Sequence, residues 1–225
     1  MTGPGKNISD ISMARQGRLS ALLTAAARIL RLRTASGPSN ARRESNDWLR
    51  RNCGTIRGNV VSIGSGDDSD GEGGHYRAYF ASASSYTTSE VCEDSNCDLV
   101  LDVRAMPLLG DGSVDCVFCS GVLEHVDDFH AGLSEITRIL ADGGTLLLGV
   151  PFRQAVHMSP NDYWRFTEFG IRYMLRDAFD LHTISAVDAL EGADFPATYW
   201  VKAVKRRSDH APSTLVNTTD RVGRG

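Results

Sequence analysis

The chain has 225 residues, of which 41% are apolar, 8% aromatic and 23% charged, and its formal net charge is -4. These values suit one α/β domain with appendages. They exclude a long apolar span, since every apolar run falls well short of the ~18 residues a membrane helix needs, and they offer no global attraction to nucleic acid. The charge is uneven: residues 1–45 carry a net +6 and the remainder -10.

In chain order, residues 12–33 place Leu19, Leu22, Leu23, Ala26, Ile29 and Leu30 at helical spacing, with Arg15, Arg18, Arg28, Arg31 and Arg33 between them. The spacing predicts a basic amphipathic helix that covers a binding pocket or a partner. It does not fit a secretory signal, because the apolar run at 21–27 is short and arginines follow closely. Residues 34–46 read as a Ser/Pro/Gly/Arg linker, so the helix and linker occupy 1–45, the folded domain 46–207 and a tail 208–225. Strands are expected at 59–63, 85–91, 99–102, 114–120, 145–150, 179–186 and 199–205. Helices are expected at 129–141 and 168–176. Apolar strands alternating with helices imply an α/β sheet covered on both faces, with a ligand crevice at the strands' carboxyl ends.

Five cysteines suggest reduced thiols and a cytoplasmic setting. Cys116 and Cys119 form a C-x-x-C, but on a strand residues three apart point to opposite faces, so the pair reads as structural. No metal site is expected.

Gly64-Ser65-Gly66 ends the first strand, where glycines let the backbone turn tightly and approach a ligand. The third glycine of a dinucleotide fingerprint would fall at Ser69, which counts against NAD. Asp68, Asp70, Glu72 and Gly73 match early positions of a calcium loop, yet the closing Glu would fall at Tyr79. Asp67-Asp68 make the loop acidic, which suits a cationic ligand. Glu90 ends the second strand and could accept hydrogen bonds from two ribose hydroxyls. Asp102 ends the third, with Val103 beside it, and could serve only as a turn residue. Ser120-Gly121 leaves the fourth strand, and VLEHV follows, with His125 in reach of a substrate proton or simply structural.

Downstream, PFRQAVHMSPNDYWRFTEF packs His157, Asp162, Tyr163, Trp164 and Arg165 into nine residues. His157 could act as a base and Arg165 could hold an anion bidentately. The alternative is a structural loop with an internal Asp162–Arg165 pair.

The order and spacing of the glycine loop, the strand-end acids and the VLEHV-to-PF block resemble class I S-adenosylmethionine-dependent methyltransferases, over roughly residues 56–206. Ser62 and Asp67-Asp68 depart from that family's usual glycine-loop pattern. The resemblance implies a Rossmann-like fold: a mixed seven-stranded sheet with helices on both faces and an antiparallel last strand. It implies S-adenosylmethionine bound by Gly64, Ser65, Gly66, Glu90, Asp102, Val103, Ser120 and Gly121. The methyl acceptor, a small molecule with a hydroxyl or amine (a sugar or secondary metabolite), would meet Asp162, Tyr163, Trp164 and Arg165, with His157, then His125, as base. Nucleic acid is not an expected partner, and a homodimer is among the assemblies left open. The rival readings are a catalytically silent methyltransferase-like binding module, an NAD-dependent oxidoreductase, and RNA methylation.

Overall fold

The computed structural model describes residues 39–93, 96–189 and 195–207. The expected basic helix at 12–33 and the tail from 208 lie outside the described residues. Among these, no helix is long and apolar enough to cross a membrane.

The first element is helix α1, Asn40–Cys53. Its Ser39 N-cap side chain accepts from Arg42 N–H, satisfying one of the donors a helix start leaves open. The compact unit begins at Ser39, so the end of the expected linker is helical. Its buried face runs Ser45, Asn46, Trp48, Leu49, Cys53. The first two are polar, and they are why no apolar period marks this helix in the sequence.

The strands follow as β1 (Asn59–Ile63), β2 (Ser85–Glu90), β3 (Leu99–Val100), β4 (Val114–Ser120), β5 (Leu140–Pro151), β6 (Phe179–Val187) and β7 (Thr198–Lys205). Helix α2 (Phe129–Ile139) precedes β5 and helix α3 (Glu168–Leu175) precedes β6. They form one seven-stranded sheet in the order β3-β2-β1-β4-β5-β7-β6. The first five pair in parallel, and β7 runs antiparallel to both neighbours. The expected mixed sheet is therefore present.

Two boundaries differ instructively. The expected helix to 141 and strand from 145 meet instead at Ile139 and Leu140, because Leu140 pairs with Val114 and a register shift absorbs the residues that follow. The third strand stops at Val100 because Asp102 turns the chain: it bridges Ala105, and its carboxylate accepts from Arg104 N–H.

Alternation along the strands builds two cores. Val60, Cys116, Phe118 and Leu147 pack with Trp48, Leu49 and Trp200 on the α1 face. Val61, Val117, Cys119, Leu146 and Leu148 pack with α2 and α3 residues on the other. Cys116 and Cys119 thus lie on opposite faces, as their spacing predicts, and burial pushes both thiols well above their ordinary range. Trp48 stacks on Trp200 with centroids 5.4 Å apart and donates to Ser185 Oγ, fixing α1 over β7 and β6.

Candidate active site

A cavity of about 540 Å³ opens at the carboxyl ends of β1, β4 and β5, a size that suits a small molecule. Its floor includes Gly64, Ser65, Ser120 and Gly121, and one wall carries Glu124, His125 and His157. Ser39, Ala41, Arg42 and Ser45 close another side. The helix bordering the cavity is thus α1, whose residues 40–46 fall in the expected linker.

Backbone geometry explains the glycines. Gly64, Gly66 and Gly121 have φ of 65°, 55° and 67°, the left-handed region that favours glycine. A Cβ on Gly64 would drive into Val122 Cγ2, whereas one on Gly66 would meet nothing within 4 Å. Gly64 is thus required by packing, and Gly66 leaves open space for a ligand.

The acidic stretch after the loop is taken up internally. Asp68 accepts from Arg77 N–H and from the Tyr86 hydroxyl. Asp70 accepts from Glu72 N–H, Gly74 N–H and the Tyr79 hydroxyl, and these bonds, Tyr79's first, hold its carboxyl below the usual range. Buried Asn46 on α1 donates to Asp70 O and to Glu72, and Arg50 pairs with Glu72 at 2.8 Å. Asp70 and Glu72 therefore tie this loop to α1, and Asp68 ties it to Arg77 and Tyr86.

Glu90 Oε1 accepts from Gly66 N–H at 3.1 Å, joining the end of β2 to the glycine loop. Asp102 is held by Arg104 through Nε and Nη2, which keeps its carboxyl below the usual range, and Val103 is buried. Glu90, Asp102 and Val103 lie outside the cavity lining, as does Gly66.

The downstream segment forms the internal Asp162–Arg165 pair that its sequence left open as the alternative. Arg165 grips Asp162 with two bonds of 2.6 and 2.7 Å, and this pairing depresses the Asp162 carboxyl strongly. The Asp162 side chain is 1% exposed and accepts from His157 N–H at 2.8 Å. Tyr163 and Trp164 donate their N–H groups to Glu124 O, and Trp164 Nε1 donates to Val126 O. None of Asp162, Tyr163, Trp164 and Arg165 lines the cavity. Their polar groups are consumed in bracing the Leu123–His125 turn and His157, because a buried carboxylate must be paired and hydrogen-bonded.

What the brace holds is a tight group. His125 Nε2 and His157 Nε2 stand 3.1 Å apart with rings edge to face. Glu124 lies beside them, 2% exposed, with Oε2 buried and unpartnered and Oε1 3.9 Å from His125 Nε2. Burial pushes its carboxyl up to about 7. The sequence reading named both histidines but not Glu124. The signal for it is an acid in an otherwise apolar VLEHV run.

Residues 75–148 match the family model described as "Methyltransferase domain". A Streptomyces fradiae protein, "Uncharacterized 37.1 kDa protein in transposon TN4556", is 44% identical over 50 residues, which is 22% of this chain and 14% of that protein's length. Among solved structures, the 1,6-didemethyltoxoflavin-N1-methyltransferase of Burkholderia thailandensis, with bound 1,6-didemethyltoxoflavin and S-adenosylhomocysteine, aligns at TM-score 0.55 and 17% identity over 92% of this chain and 94% of its own. The N-methyltransferase NodS of Bradyrhizobium japonicum, in complex with S-adenosylhomocysteine, aligns at 0.56 and 14% over 78% and 91%. The Haloferax volcanii complex with the Trm112 methyltransferase activator aligns at 0.57 and 19% over 73% and 90%. The sheet order and the solved structures agree on one fold, the Rossmann-like fold of these methyltransferases, and within it residues 75–148 match a methyltransferase-domain model.

Proposed function

We propose that the chain moves a methyl group from S-adenosylmethionine to a hydroxyl or amine of a small molecule bound over His157 and His125. The observation that carries this reading is the convergence of both Nε2 atoms on the wall of a glycine-floored cavity. The cofactor fits the residues present: the position of the absent Gly66 Cβ is open, and Gly64, Ser65, Ser120 and Gly121 would face its methionine part. Glu90 would release Gly66 N–H to take the ribose. When bound, the cofactor supplies an already activated methyl, so the protein's work is largely positioning.

His125 Nδ1–H donates to Asn161 O at 2.7 Å and His157 Nδ1–H donates to Ala155 O at 3.1 Å. A carbonyl can only accept, so in the neutral form of each ring Nε2 carries the lone pair. Either nitrogen can accept the proton an acceptor hydroxyl or amine loses. His157, whose side chain is 30% exposed against 14% for His125, is the first to meet an acceptor. Ser39, Ser45, Ser62, Ser65 and Ser120 supply hydroxyls around the cavity, which suits a polyhydroxylated acceptor such as a sugar.

Calorimetry with S-adenosylhomocysteine tests the reading: 1:1 binding, weakened by Glu90→Ala, is expected, and no binding to the full chain would overturn it. With labelled S-adenosylmethionine and a panel of glycosides and phenols, His157→Ala should cut turnover by ~10²-fold or more. The Asp102–Arg104 pair favours a second reading, a silent module that binds a partner. Cofactor binding without transfer to any panel member would select it. An NAD-dependent oxidoreductase fits less well, because the antiparallel β7 interrupts the all-parallel dinucleotide-binding sheet.

A further inference from the structure

We infer that Glu124, His125 and His157 form a binding site for a first-row divalent transition-metal ion. The carrying observation is the facing pair of lone pairs. Both Nδ1 atoms are committed as donors to the carbonyls of Asn161 and Ala155, so in the neutral rings both Nε2 atoms are bare, yet they lie 3.1 Å apart. Two bare nitrogens at that distance repel unless a proton or a cation lies between them. Zinc bonds imidazole nitrogen at about 2.0–2.1 Å, which puts two such nitrogens on one tetrahedral ion about 3.3 Å apart. The observed spacing is close to that value.

Glu124 is the second, independent observation. One of its oxygens is buried without a partner, and a buried carboxylate in that state is costly. The ligand atoms of the three residues lie within 4.8 Å of one another, so a modest rotation of the Glu124 side chain completes the set. Burial alone favours the protonated acid, and a bound cation would compensate the charge.

The surroundings are those of a metal site. Each histidine is oriented by its other ring nitrogen, and Asp162, locked by Arg165, fixes the His157 backbone. Such outer contacts set tautomer and ring direction for ligating histidines. Two histidines and one carboxylate, without sulfur, suit zinc, iron, cobalt or manganese rather than magnesium or calcium. They also leave coordination positions open to the cavity. Metal binding stands by itself. The Nε2 lone pairs cannot both ligate an ion and take a proton, so the histidine base belongs to the metal-free protein, and in the loaded protein the ion would instead hold the acceptor's oxygen or nitrogen, a role that rests on the methyl-transfer reading.

The test uses the full-length chain, stripped with chelator and titrated with Zn²⁺, Co²⁺ or Mg²⁺ alone, with S-adenosylhomocysteine titrated in parallel. Expected are one tight zinc equivalent, no comparable magnesium binding, and visible Co²⁺ absorption without a sulfur-to-cobalt charge-transfer band. His157→Ala and His125→Ala should each weaken zinc by ~100-fold or more and Glu124→Gln by ~10-fold or more. His182→Ala, on β6, should change nothing. If Glu124→Gln fails to fold, the exposed His157 loop still supplies a readable variant. No stoichiometric zinc, zinc unaffected by His157→Ala, or a sulfur band from Cys92 or Cys97 would overturn the proposal. Zinc failing while S-adenosylhomocysteine binds leaves the methyltransferase reading intact, and the reverse result leaves the metal site intact.

Discussion

The two sides of the crevice are built differently. On the β1–β2–β3 side, Gly64, Glu90 and Asp102 sit at strand ends and are held by near neighbours or by the adjoining strand. On the β4–β5 side, Glu124, His125 and His157 are drawn from segments over thirty residues apart and are held by a third segment, Asp162–Arg165. The first arrangement follows from local turn chemistry. The second exists only because a buried Asp–Arg pair and two backbone bonds to Glu124 O close it.

The comparison breaks most sharply at the floor the two sides share. Gly64→Val combines a left-handed backbone with a collision at Val122, so it should destabilise the fold by about 2–4 kcal/mol and remove S-adenosylhomocysteine binding. A denaturant midpoint equal to the parent's would mean the loop can move, and the packing account of Gly64 would be wrong.

A smaller effect sharpens the contrast. Asp162→Ala removes the brace without touching the glycine loop. Zinc affinity should fall ~10-fold while S-adenosylhomocysteine affinity stays within error. Equal loss of both in calorimetry would show that the two sides are not independent.

The smallest expected effect lies behind the first side. Glu135 accepts from Met106 N–H, and Arg138, paired with Glu135 at 2.7 Å, donates to Met106 O and Leu109 O. The pairing with Arg138, then the Met106 bond, lowers the Glu135 carboxyl to about 2 from 4.5. Because the folded value is depressed, the stabilisation is fully present above about pH 4.5 and is lost as pH falls toward 2. After allowance for solvent access, Glu135→Gln should cost about 1 kcal/mol at neutral pH, and the gap to the parent should close by pH 2 in paired urea melts. A gap that persists at pH 2 would assign the loss to packing rather than charge.

Much of this was legible in the sequence. β1, β4 and α3's start were readable because apolar runs, a glycine-marked strand end and a Thr167 cap are local signals. Gly64, Ser65, Ser120, Gly121, His125 and His157 were anticipated as site residues and do line one cavity. Helix α1 was missed because Ser45 and Asn46 occupy its buried face, so its packing partners, Asp70 and Glu72, were needed to define it. Tyr163, Trp164 and Arg165 look like recognition groups in any linear reading, since charge and aromaticity mark both substrate sites and braces.

By itself, then, the sequence determined the alternation of strands and helices, the opposite-face placement of Cys116 and Cys119, and the glycine turn, all of which depend on interactions between residues near in sequence. Only the tertiary structure decided that Asp162 and Arg165 spend their charges on each other and that one carboxylate oxygen of Glu124 is buried without a partner. It also decided that two histidines 32 residues apart bring their Nε2 atoms within 3.1 Å of one another. Desolvation and hydrogen-bond pairing settle those outcomes, and both are properties of what surrounds a side chain rather than of its place in the chain.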